Sequence, residues 1–403
     1  MTAFTSTATR MPLVVYVFAL SAFALGFTEF VTIGLVSAIA ADLKVDVSAI
    51  GAAVAAYAIG ATIGAPILTA LAAPLSRKHL LVAAMLVFTL GNALVGLSAD
   101  LPSLLAARFG SGLGHGVFLA VASSAATRLV EPERAGSAVA VVFGGLTVAL
   151  AFGVPIGTWL GGLWTWQAIF MAVAACGAIG LVGLLALMPD GRDGGRARDA
   201  IHNLTALLDH RLLGAALITV LAYTGSFCLF SYIAPLLIQV TGMDASWVGA
   251  MMLVYGVAAA IGNVAGGRMT DRLGPDRAVL IVLVGLTFIL AAMGFAARST
   301  PAMTVLVAAL GALTYAAVPA LQARVIGLAE RRAPAALASA AGLNIAGFNA
   351  GIALGSLLGG GVVDAFGLTA TAIVGAGAAG VGIAALIIQN GGERPRIRRP
   401  DSA

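Results

Sequence analysis

The sequence predicts an all-α polytopic membrane protein in which twelve transmembrane helices form two parallel six-helix repeats. Of its 403 residues, 60% are hydrophobic and 10% are charged, whereas soluble domains carry about 25% charged residues. Twelve apolar runs are each long enough to cross a hydrocarbon layer of about 30 Å as a helix. The two halves of the chain also align at one fixed offset. These three observations exclude a soluble globular protein.

The apolar runs are separated by charged residues, glycine or proline. They cover approximately residues 12–36, 48–73, 80–99, 102–129, 135–160, 166–188, 211–240, 246–270, 278–297, 301–328, 335–363 and 369–389. The first run follows a short polar leader, is too long for a signal peptide and has no small-residue cleavage site, so we expect it to be retained.

Basic residues alternate in density between the two ends of the predicted helices. Nineteen of the 22 Lys and Arg residues fall in segments on the side of the N-terminus. The positive-inside rule then predicts that both termini are cytoplasmic in a multi-pass protein of the cytoplasmic (inner) membrane. This asymmetry accounts for the basic isoelectric point of about 9.6, and no nucleic-acid partner is expected.

Residues 189–210 form the longest polar interval and predict a cytoplasmic linker between two bundles. The predicted domains are an N-terminal six-helix bundle (11–188), this linker (189–210), a C-terminal six-helix bundle (211–389) and a cytoplasmic tail (390–403). A shift of 198 residues aligns the bundles. The matches include Tyr57 with Tyr255, Gly153 with Gly351, Gly157 with Gly355 and Gly161 with Gly359. Six helices return the chain to the same side, so the repeats are parallel, which suits alternating access.

Three ionisable residues inside the first bundle are candidates for proton coupling. Glu29 is the charged residue of the first run, and a carboxylate there costs roughly 2.5–3.5 kcal/mol. Arg108 is expected at a similar depth in the outer half, where it can set the energy of that carboxylate. His115 is expected near the midplane, where it can relay protons or bind substrate. A structural role in helix packing is the alternative for each of the three.

Neutral polar and aromatic residues inside the spans are candidates for the substrate cavity. The second bundle has Phe227 at the position equivalent to Glu29. Amides and phenols there suit an uncharged or zwitterionic substrate, although each can equally be structural. The candidate cavity residues of both bundles are Phe27, Tyr57, Phe118, Tyr223, Ser226, Tyr232, Tyr255, Gln322, Asn344 and Asn349. In helix 5, Gly153, Gly157 and Gly161 are spaced for close helix packing and Pro155 can bend the helix, so we expect them to shape a moving interface.

Four motifs of the sequence are GFTEF (26–30), ARFGSGLGHGVF (107–118), GVPIG (153–157) and GGRMTDRLG (266–274). They resemble those of the major facilitator superfamily, in particular its twelve-span drug:proton antiporter branch of sugar-efflux and chloramphenicol-resistance transporters. The resemblance covers about residues 11–389 and implies the major facilitator fold. It also implies a conformational role for Asp271 and Arg272. The chain departs from the family pattern at Ala73, where an acid is usual, and at Gln167, where Arg is common.

The resemblance implies a proton-coupled antiporter that exports small, mostly apolar molecules of the drug, sugar or nucleoside type and so contributes to drug resistance. A facilitator or proton symporter of a small neutral solute is the alternative. An intramembrane enzyme based on Glu29, His115 and Ser124 is a weaker one, and no enzymatic activity is expected. The sequence has no Walker loop, so we expect the proton gradient as the energy source, with no cofactor or metal. The expected partners are a small-molecule substrate and the lipid bilayer, and the chain is expected to be a monomer.

Overall fold

A computed structural model describes residues 11–71, 75–131, 134–190, 209–332 and 337–391. The described residues form helices and no β-strand. In the described part of the chain, twelve helices are long and apolar enough to span a membrane, as predicted. In chain order, α1 to α12 are Leu13–Leu43, Val47–Leu68, Arg77–Gly96, Leu101–Arg128, Ser137–Leu163, Trp166–Leu187, His210–Gln239, Ala245–Leu273, Pro275–Ala296, Thr300–Arg331, Gly342–Phe366 and Ala370–Gly391. Ala73 and most of the predicted linker and tail lie outside the described residues.

The helices group into two compact units. Unit 1 consists of the described parts of Met1–Val45, Ala56–Ile201 and Ala245–Gly256. Unit 2 consists of the described parts of Asp46–Ala55, His202–Asp244 and Val257–Ala403. The unit boundaries therefore pass through α2 and α8 as well as through the polar interval after α6.

Side-chain caps begin several of these helices. Ser76 accepts a hydrogen bond from the backbone N–H of His79 at the start of α3, and Thr165 accepts one from Ala168 at the start of α6. Asp100 accepts one from the N–H of Ser103 at the start of α4. This bond holds the pKa of the Asp100 carboxyl below its usual value, because it favours the charged form. The caps satisfy N–H groups that have no partner within the helix.

The glycine stripe of α5 packs against α1 within unit 1. A Cβ atom at Gly153 would lie 3.1 Å from the Phe23 ring, and one at Gly157 would collide with Phe27. A Cβ at Gly161 would collide with the side chain of Leu35. Small residues at this spacing let two helix backbones approach closely. The stripe is therefore a packing surface inside unit 1, and its role in a moving interface stays a prediction.

Unit 2 repeats this arrangement at the same offset of 198 residues. The glycine stripe of α11 packs against α7, where a Cβ at Gly351 would lie 2.6 Å from the Cβ of Tyr223. A Cβ at Gly355 would lie 2.7 Å from the carbonyl oxygen of Thr224, and one at Gly359 would collide with that of Cys228. The sequence repeat thus corresponds to a repeated helix pairing, α1 with α5 and α7 with α11.

Two π-helical turns interrupt the spans of the first half. One occupies Gly64–Leu68 in α2 and contains Pro66, and the other occupies Ala149–Gly153 in α5, two residues before Pro155. Proline lacks the N–H that an α-helix needs and its ring clashes with the preceding turn. A π-turn accommodates that disruption. The bend expected at Pro155 therefore takes the form of a wider turn just before it.

The ends of α1 and α6 are joined by Asp42. Its Oδ2 accepts hydrogen bonds from Nε1 of Trp166 at 2.9 Å and from Nε2 of Gln167 at 2.7 Å. Gln167 occupies the place where the resembled family commonly has Arg. Its amide donates to the acid, so the connection between α1 and α6 has a neutral donor where an Arg would place a second charge.

At the opposite end of the helices, one ion pair connects α3 to the segment that follows α6, and another connects α9 to α10. In unit 1, Lys78 lies 3.2 Å from Asp190, whose side chain is 79% exposed. In unit 2, the guanidinium of Arg324 is 4% exposed and its Nε lies 2.7 Å from Asp276. Its Nη2 also donates to Asn390 Oδ1 at 3.1 Å. Because a buried charge depends on its partners far more than an exposed one, the unit 2 bridge should matter more for stability.

Replacing Asp276 with Ala should lower the apparent melting temperature of the purified protein, because it leaves the Arg324 charge buried without its carboxylate. Breaking a fully buried pair costs roughly 3–5 kcal/mol, and since Asp276 is half exposed we expect about 2 kcal/mol. The matched control is Lys78→Ala, for which an exposed pair predicts a loss below about 1 kcal/mol. Equal destabilisation by the two substitutions would contradict this difference.

Candidate functional site

Arg108 of α4 is fully buried within unit 1. Its Nη1 donates to the backbone carbonyl of Thr28 at 3.0 Å and to the Thr28 hydroxyl at 3.1 Å. Its Cζ lies 4.2 Å from the centroid of the Tyr57 ring. Since Arg cannot be deprotonated in a protein, these polar and aromatic partners have to compensate a permanent charge. The Thr28 contact also places Arg108 at the depth of Glu29, as expected.

The close approach of α2 and α4 makes the contact between Arg108 and Tyr57 possible. A Cβ at Gly112 would collide with the carbonyl oxygen of Tyr57, and one at Gly116 would collide with that of Ala61. On the other face of α4, a Cβ at Gly114 would lie 2.6 Å from the carbonyl oxygen of Ala84 in α3. Gly112, Gly114 and Gly116 of the GSGLGHG segment therefore serve helix packing on two sides of α4, whereas a Cβ at Gly110 would meet no atom within 4 Å.

Tyr57 connects Arg108 to His115. Its hydroxyl lies 2.6 Å from His115 Nδ1 and 3.3 Å from the carbonyl oxygen of Leu25. Arg108 and His115 are seven residues apart, two helical turns, and so lie on one face of α4. Tyr57 was expected in the substrate cavity, but its ring and hydroxyl are both engaged by the candidate proton-coupling residues.

The Tyr57–His115 contact admits two proton arrangements. In one, the tyrosine O–H donates to Nδ1. In the other, Nδ1–H donates to the tyrosine oxygen and the O–H donates to the carbonyl oxygen of Leu25. The neutral imidazole has these two tautomers, and the second ring nitrogen takes the opposite role in each. The contact can therefore pass on a change of protonation without movement of either helix.

Glu29 lies beside this network. The residue is 5% exposed, and its Oε1 is buried with no hydrogen-bond partner among the described residues. The charges of Glu29 and Arg108 are close enough to interact. A buried carboxylate oxygen without a donor is costly when ionised. The site therefore holds a carboxyl group whose charge, when it is ionised, is only partly compensated by its surroundings.

Sequence reasoning missed two members of this network, Thr28 and Asn92. Thr28 donates to Asn92 Oδ1 at 2.5 Å while its own oxygen accepts from Arg108, so it joins α3 to α4. Asn92 is completely buried in α3. Asn92 could have been identified by the reasoning applied to Glu29, because a polar side chain inside an apolar run is costly and so indicates a specific role. We define the polar network of unit 1 as Thr28, Glu29, Tyr57, Asn92, Arg108 and His115.

Two aromatic residues expected in the cavity lie in packing contacts. Phe118 is fully buried and its ring meets Phe18 edge-on at 6.3 Å. Phe27 is partly buried against the glycine stripe of α5, with its ring 5.8 Å from that of Phe23. The structure thus gives Phe118 a core position, whereas Phe27 keeps some accessible surface.

Unit 2 contains a neutral hydrogen-bonded network. Asn344 Nδ2 donates to Gln322 Oε1 at 2.7 Å, and Thr219 donates to Asn344 Oδ1 at 2.8 Å. Each group of the Asn344 amide thus has a partner, and the bonds join α7, α10 and α11. Two of the predicted cavity residues are brought together here, and Thr219 is a further member that the sequence did not identify.

A second neutral cluster lies along α7 of unit 2. Tyr223 donates to the carbonyl oxygen of Thr314 at 3.3 Å, and the Thr314 hydroxyl lies 3.3 Å from that of Ser226. The Tyr223 ring packs edge-on against Phe348 at 4.3 Å. These side chains form one packed cluster with an aromatic and a hydroxyl part, a combination that also occurs in sites for small organic molecules.

The remaining predicted residues have separate environments. Tyr232 is buried in unit 2 and donates to the carbonyl oxygen of Ser356 at 2.8 Å. Asn349 donates to its own helix, and its buried Oδ1 has no partner among the described residues. Tyr255 is buried, whereas Asp271 and Arg272 are exposed at the end of α8. The structure assigns neither of these charged residues a role.

The family model of the Major Facilitator Superfamily matches residues 18–213 and 215–402 of this chain. The chain belongs to that superfamily. Its members that match here are membrane transporters rather than enzymes, so the intramembrane-enzyme alternative is wrong.

Relatives within the superfamily match over most of their length. The inner membrane transport protein YdhP of Escherichia coli (strain K12) is 37% identical over 368 residues, which cover 91% of this chain and 92% of YdhP. A chloramphenicol resistance protein of Streptomyces lividans is 35% identical over 347 residues, which cover 79% of this chain and 87% of that protein. These relatives and the twelve spans indicate a multi-pass transporter of the inner membrane.

The crystal structure of a variant of the nucleoside transporter NupG has the same fold. Its TM-score is 0.78, with 94% of this chain and all of that chain covered. Only 16% of the residues are identical, so this likeness concerns the arrangement of helices in the superfamily. The predicted fold class is confirmed.

Replacing Thr28 with Val should destabilise this superfamily member by about 1 kcal/mol, because it removes the hydroxyl that joins Asn92 to Arg108 and leaves two buried polar groups without it. Thr32→Val is the matched control, since the Thr32 hydroxyl bonds to the carbonyl oxygen of Thr28 within the same helix. Melting of both purified variants measures the difference. A loss with Thr32→Val as large as that with Thr28→Val would contradict a special role for Thr28.

Proposed function

We propose that the protein exports small, mostly apolar molecules from the cytoplasm in exchange for protons. The observation that carries this proposal is Glu29, a buried carboxyl group with an unpartnered oxygen beside the permanent charge of Arg108. Burial disfavours a charged carboxylate, whereas a nearby cation favours it. A conformational change that alters either influence therefore changes the affinity of Glu29 for a proton. Such a change is what coupling to alternating access requires.

In this mechanism the polar network of unit 1 connects the state of Glu29 to its surroundings. Arg108 interacts electrostatically with Glu29, donates a hydrogen bond to Thr28 and contacts the ring of Tyr57. Tyr57 in turn contacts His115, where the two proton arrangements described above are available. We assign Glu29 as the proton-exchange group, Arg108 as its charge partner, and Tyr57 and His115 as the connection toward the middle of the membrane.

The substrate contacts are assigned to the neutral groups of unit 2. Tyr223 and Phe348 offer an aromatic surface, whereas Gln322 and Asn349 offer amide groups next to the hydrogen-bonded amide of Asn344. Such a set binds an uncharged molecule through stacking and a few hydrogen bonds without competing for the charge of unit 1. The relative named for chloramphenicol resistance supports a neutral drug-like substrate.

A facilitator or proton symporter of a small neutral solute is the second candidate. The observation that favours it is the abundance of hydroxyl and amide groups in unit 2, which equally suit a hydroxylated solute. The candidates differ in the sign of the coupling between proton and substrate. That sign is measurable on the purified protein.

Replacing Glu29 with Gln should abolish transport driven by a pH gradient while leaving the protein folded and inserted, because the amide keeps the size and polarity of the side chain but carries no exchangeable proton. Substrate flux in proteoliposomes under an imposed pH gradient measures the effect. The control is Asp364→Asn, an exposed acid at the end of α11, which should transport normally. Unchanged flux in the Glu29 variant would remove this residue from the mechanism.

Substrate affinity should fall as the pH is lowered, because in an antiporter a bound proton and a bound substrate weaken each other by the same factor. Titration of binding at a series of pH values measures this effect. Binding should also release protons into weakly buffered solution, and both effects should disappear in Glu29→Gln. A proton symporter would show the opposite sign, and a facilitator would bind substrate with pH-independent affinity.

A further inference from the structure

Three hydrogen-bonded side chains in unit 2 lead from a buried hydroxyl to a partly exposed amide. Thr219 donates to Asn344 Oδ1 at 2.8 Å, and Asn344 Nδ2 donates to Gln322 Oε1 at 2.7 Å. Thr219 is completely buried and Asn344 is 6% exposed, whereas Gln322 is half-buried. The Nε2 group of Gln322 donates to none of the described residues and is not enclosed by them. It is therefore the accessible polar end of this chain of bonds.

The Thr219 hydroxyl determines which end of each amide faces its neighbour. A hydroxyl has one proton to donate, and the alternative acceptor, the carbonyl oxygen of Ala215, lies at 3.5 Å. The shorter bond goes to Asn344 Oδ1, so the Asn344 amide turns its nitrogen toward Gln322. Gln322 accepts with its oxygen and keeps the two N–H donors of Nε2 on the other side. A molecule that reaches this amide is therefore recognised through an acceptor.

Gln322 lies within the membrane span and not at its end. The helix α10 has 32 residues, and Gln322 precedes its last residue, Arg331, by nine, which is about 14 Å along the axis. A helix of this length extends about 9 Å beyond each face of a hydrocarbon layer of about 30 Å when it is centred. Gln322 then lies inside the layer, where a polar side chain faces protein or a water-filled cavity rather than lipid.

The surface of α10 around Gln322 lies in a recess. None of the residues 311–329 is exposed, whereas Phe288 of α9 is 70% exposed, as expected of a side chain that faces lipid. Arg324 follows Gln322 by two residues, about 200° around the helix, and donates to Asp276 of α9. The Gln322 donor therefore lies on the side of α10 away from α9.

An aromatic pair lies one helical turn from the bonded amides. Tyr223 follows Thr219 by four residues on α7, and Phe348 follows Asn344 by four residues on α11, so the residues of each helix share one face. The two rings pack edge-on with centroids 4.3 Å apart, and Phe348 is half-buried. One such turn is about 6 Å along the axis. An aromatic surface and an oriented donor are thus close enough for one small molecule to contact both.

We propose that Gln322 selects the transported molecule, which is an aromatic compound with an uncharged acceptor, a nitro or carbonyl group, attached to its ring. This assignment rests on the proposed function, in which unit 2 contacts the transported molecule. The ring packs against Phe348, and the acceptor takes a hydrogen bond from Gln322 Nε2. Thr219 and Asn344 are positioning residues, because they keep the donor end of the Gln322 amide open.

Equilibrium binding of two probes to the full-length, detergent-purified protein at one pH tests this proposal. Chloramphenicol carries a nitro acceptor on its ring, and reduction of that group to an amine replaces the acceptor with a donor. The wild type should bind the nitro compound about fivefold more tightly, and Gln322→Met should bind both equally. The matched control is Gln389→Met, because the Gln389 amide already donates to the carbonyl oxygen of Arg211. This variant should keep the preference.

Thr219→Val tests the positioning role. Without the hydroxyl the Asn344 amide can rotate, so the preference for the nitro compound should fall below that of the wild type. Equal weakening of both probes would contradict this role, because loss of packing alone does not distinguish an acceptor from a donor. Equal affinity of the wild type for the two probes would overturn the proposal, as would binding of neither probe or a preference that survives Gln322→Met.

Thiol labelling tests the access to Gln322 without a ligand, and it decides the matter if Gln322→Met does not fold. Gln322→Cys, in a chain that also carries Cys176→Ala and Cys228→Ala, should react with a water-soluble methanethiosulfonate, whereas Phe288→Cys should not. No reaction at position 322 would overturn the proposal. These measurements need no proton gradient. Proton-driven flux without the probe preference would therefore refute the substrate class alone, and the preference without such flux would refute the export mechanism alone.

Discussion

The burial of the Arg108 guanidinium determines much of the structure of unit 1. A permanent charge in an apolar bundle requires oxygen and aromatic partners from every side, and Thr28, Tyr57 and Phe170 supply them from three different helices. Those partners come within reach because glycines at 112 and 116 let α4 lie directly against α2. The small residues and the charge therefore depend on each other. Larger side chains in α4 would move Tyr57 away, and Arg108 would lose the ring that covers it.

The two units share a packing scheme but differ in the chemistry that it supports. Glycines at equivalent positions join α5 to α1 and α11 to α7, so duplication has preserved the backbone contacts. The polar interior has diverged. Unit 1 combines Glu29, Arg108 and His115, whereas unit 2 has the neutral Thr219, Gln322 and Asn344 at its own helix contacts. In the proposed mechanism, this divergence separates the group that exchanges a proton from the groups that contact an uncharged molecule.

The sequence predicted the fold well because hydropathy, basic-residue density and a constant offset all act over many residues. Individual contacts were less predictable. Glu29 and Arg108 were recognised as candidates because charge is rare in a span, but Thr28 and Asn92 were not, since neutral polar residues occur often in membrane helices. Tyr57 was predicted as a cavity residue, and its contacts with Arg108 and His115 could not be foreseen, because a phenol suits both a cavity and a buried network. Which face of a helix a residue occupies depends on helix rotation, which hydropathy alone does not determine.

The ion pairs at the ends of α3 and α9 have a consequence for assembly during synthesis. Lys78 and Asp276 occupy equivalent positions of the repeat, 198 residues apart, with opposite charges. Each pairs with a partner of its own unit, Asp190 or Arg324. Helices of the first half enter the membrane before those of the second, and two similar halves offer similar surfaces to one another. A swapped arrangement would bring Lys78 to Arg324 and Asp276 to Asp190, and both pairs would repel. The inverted charges thus favour ion pairs within each unit over the exchanged pairs.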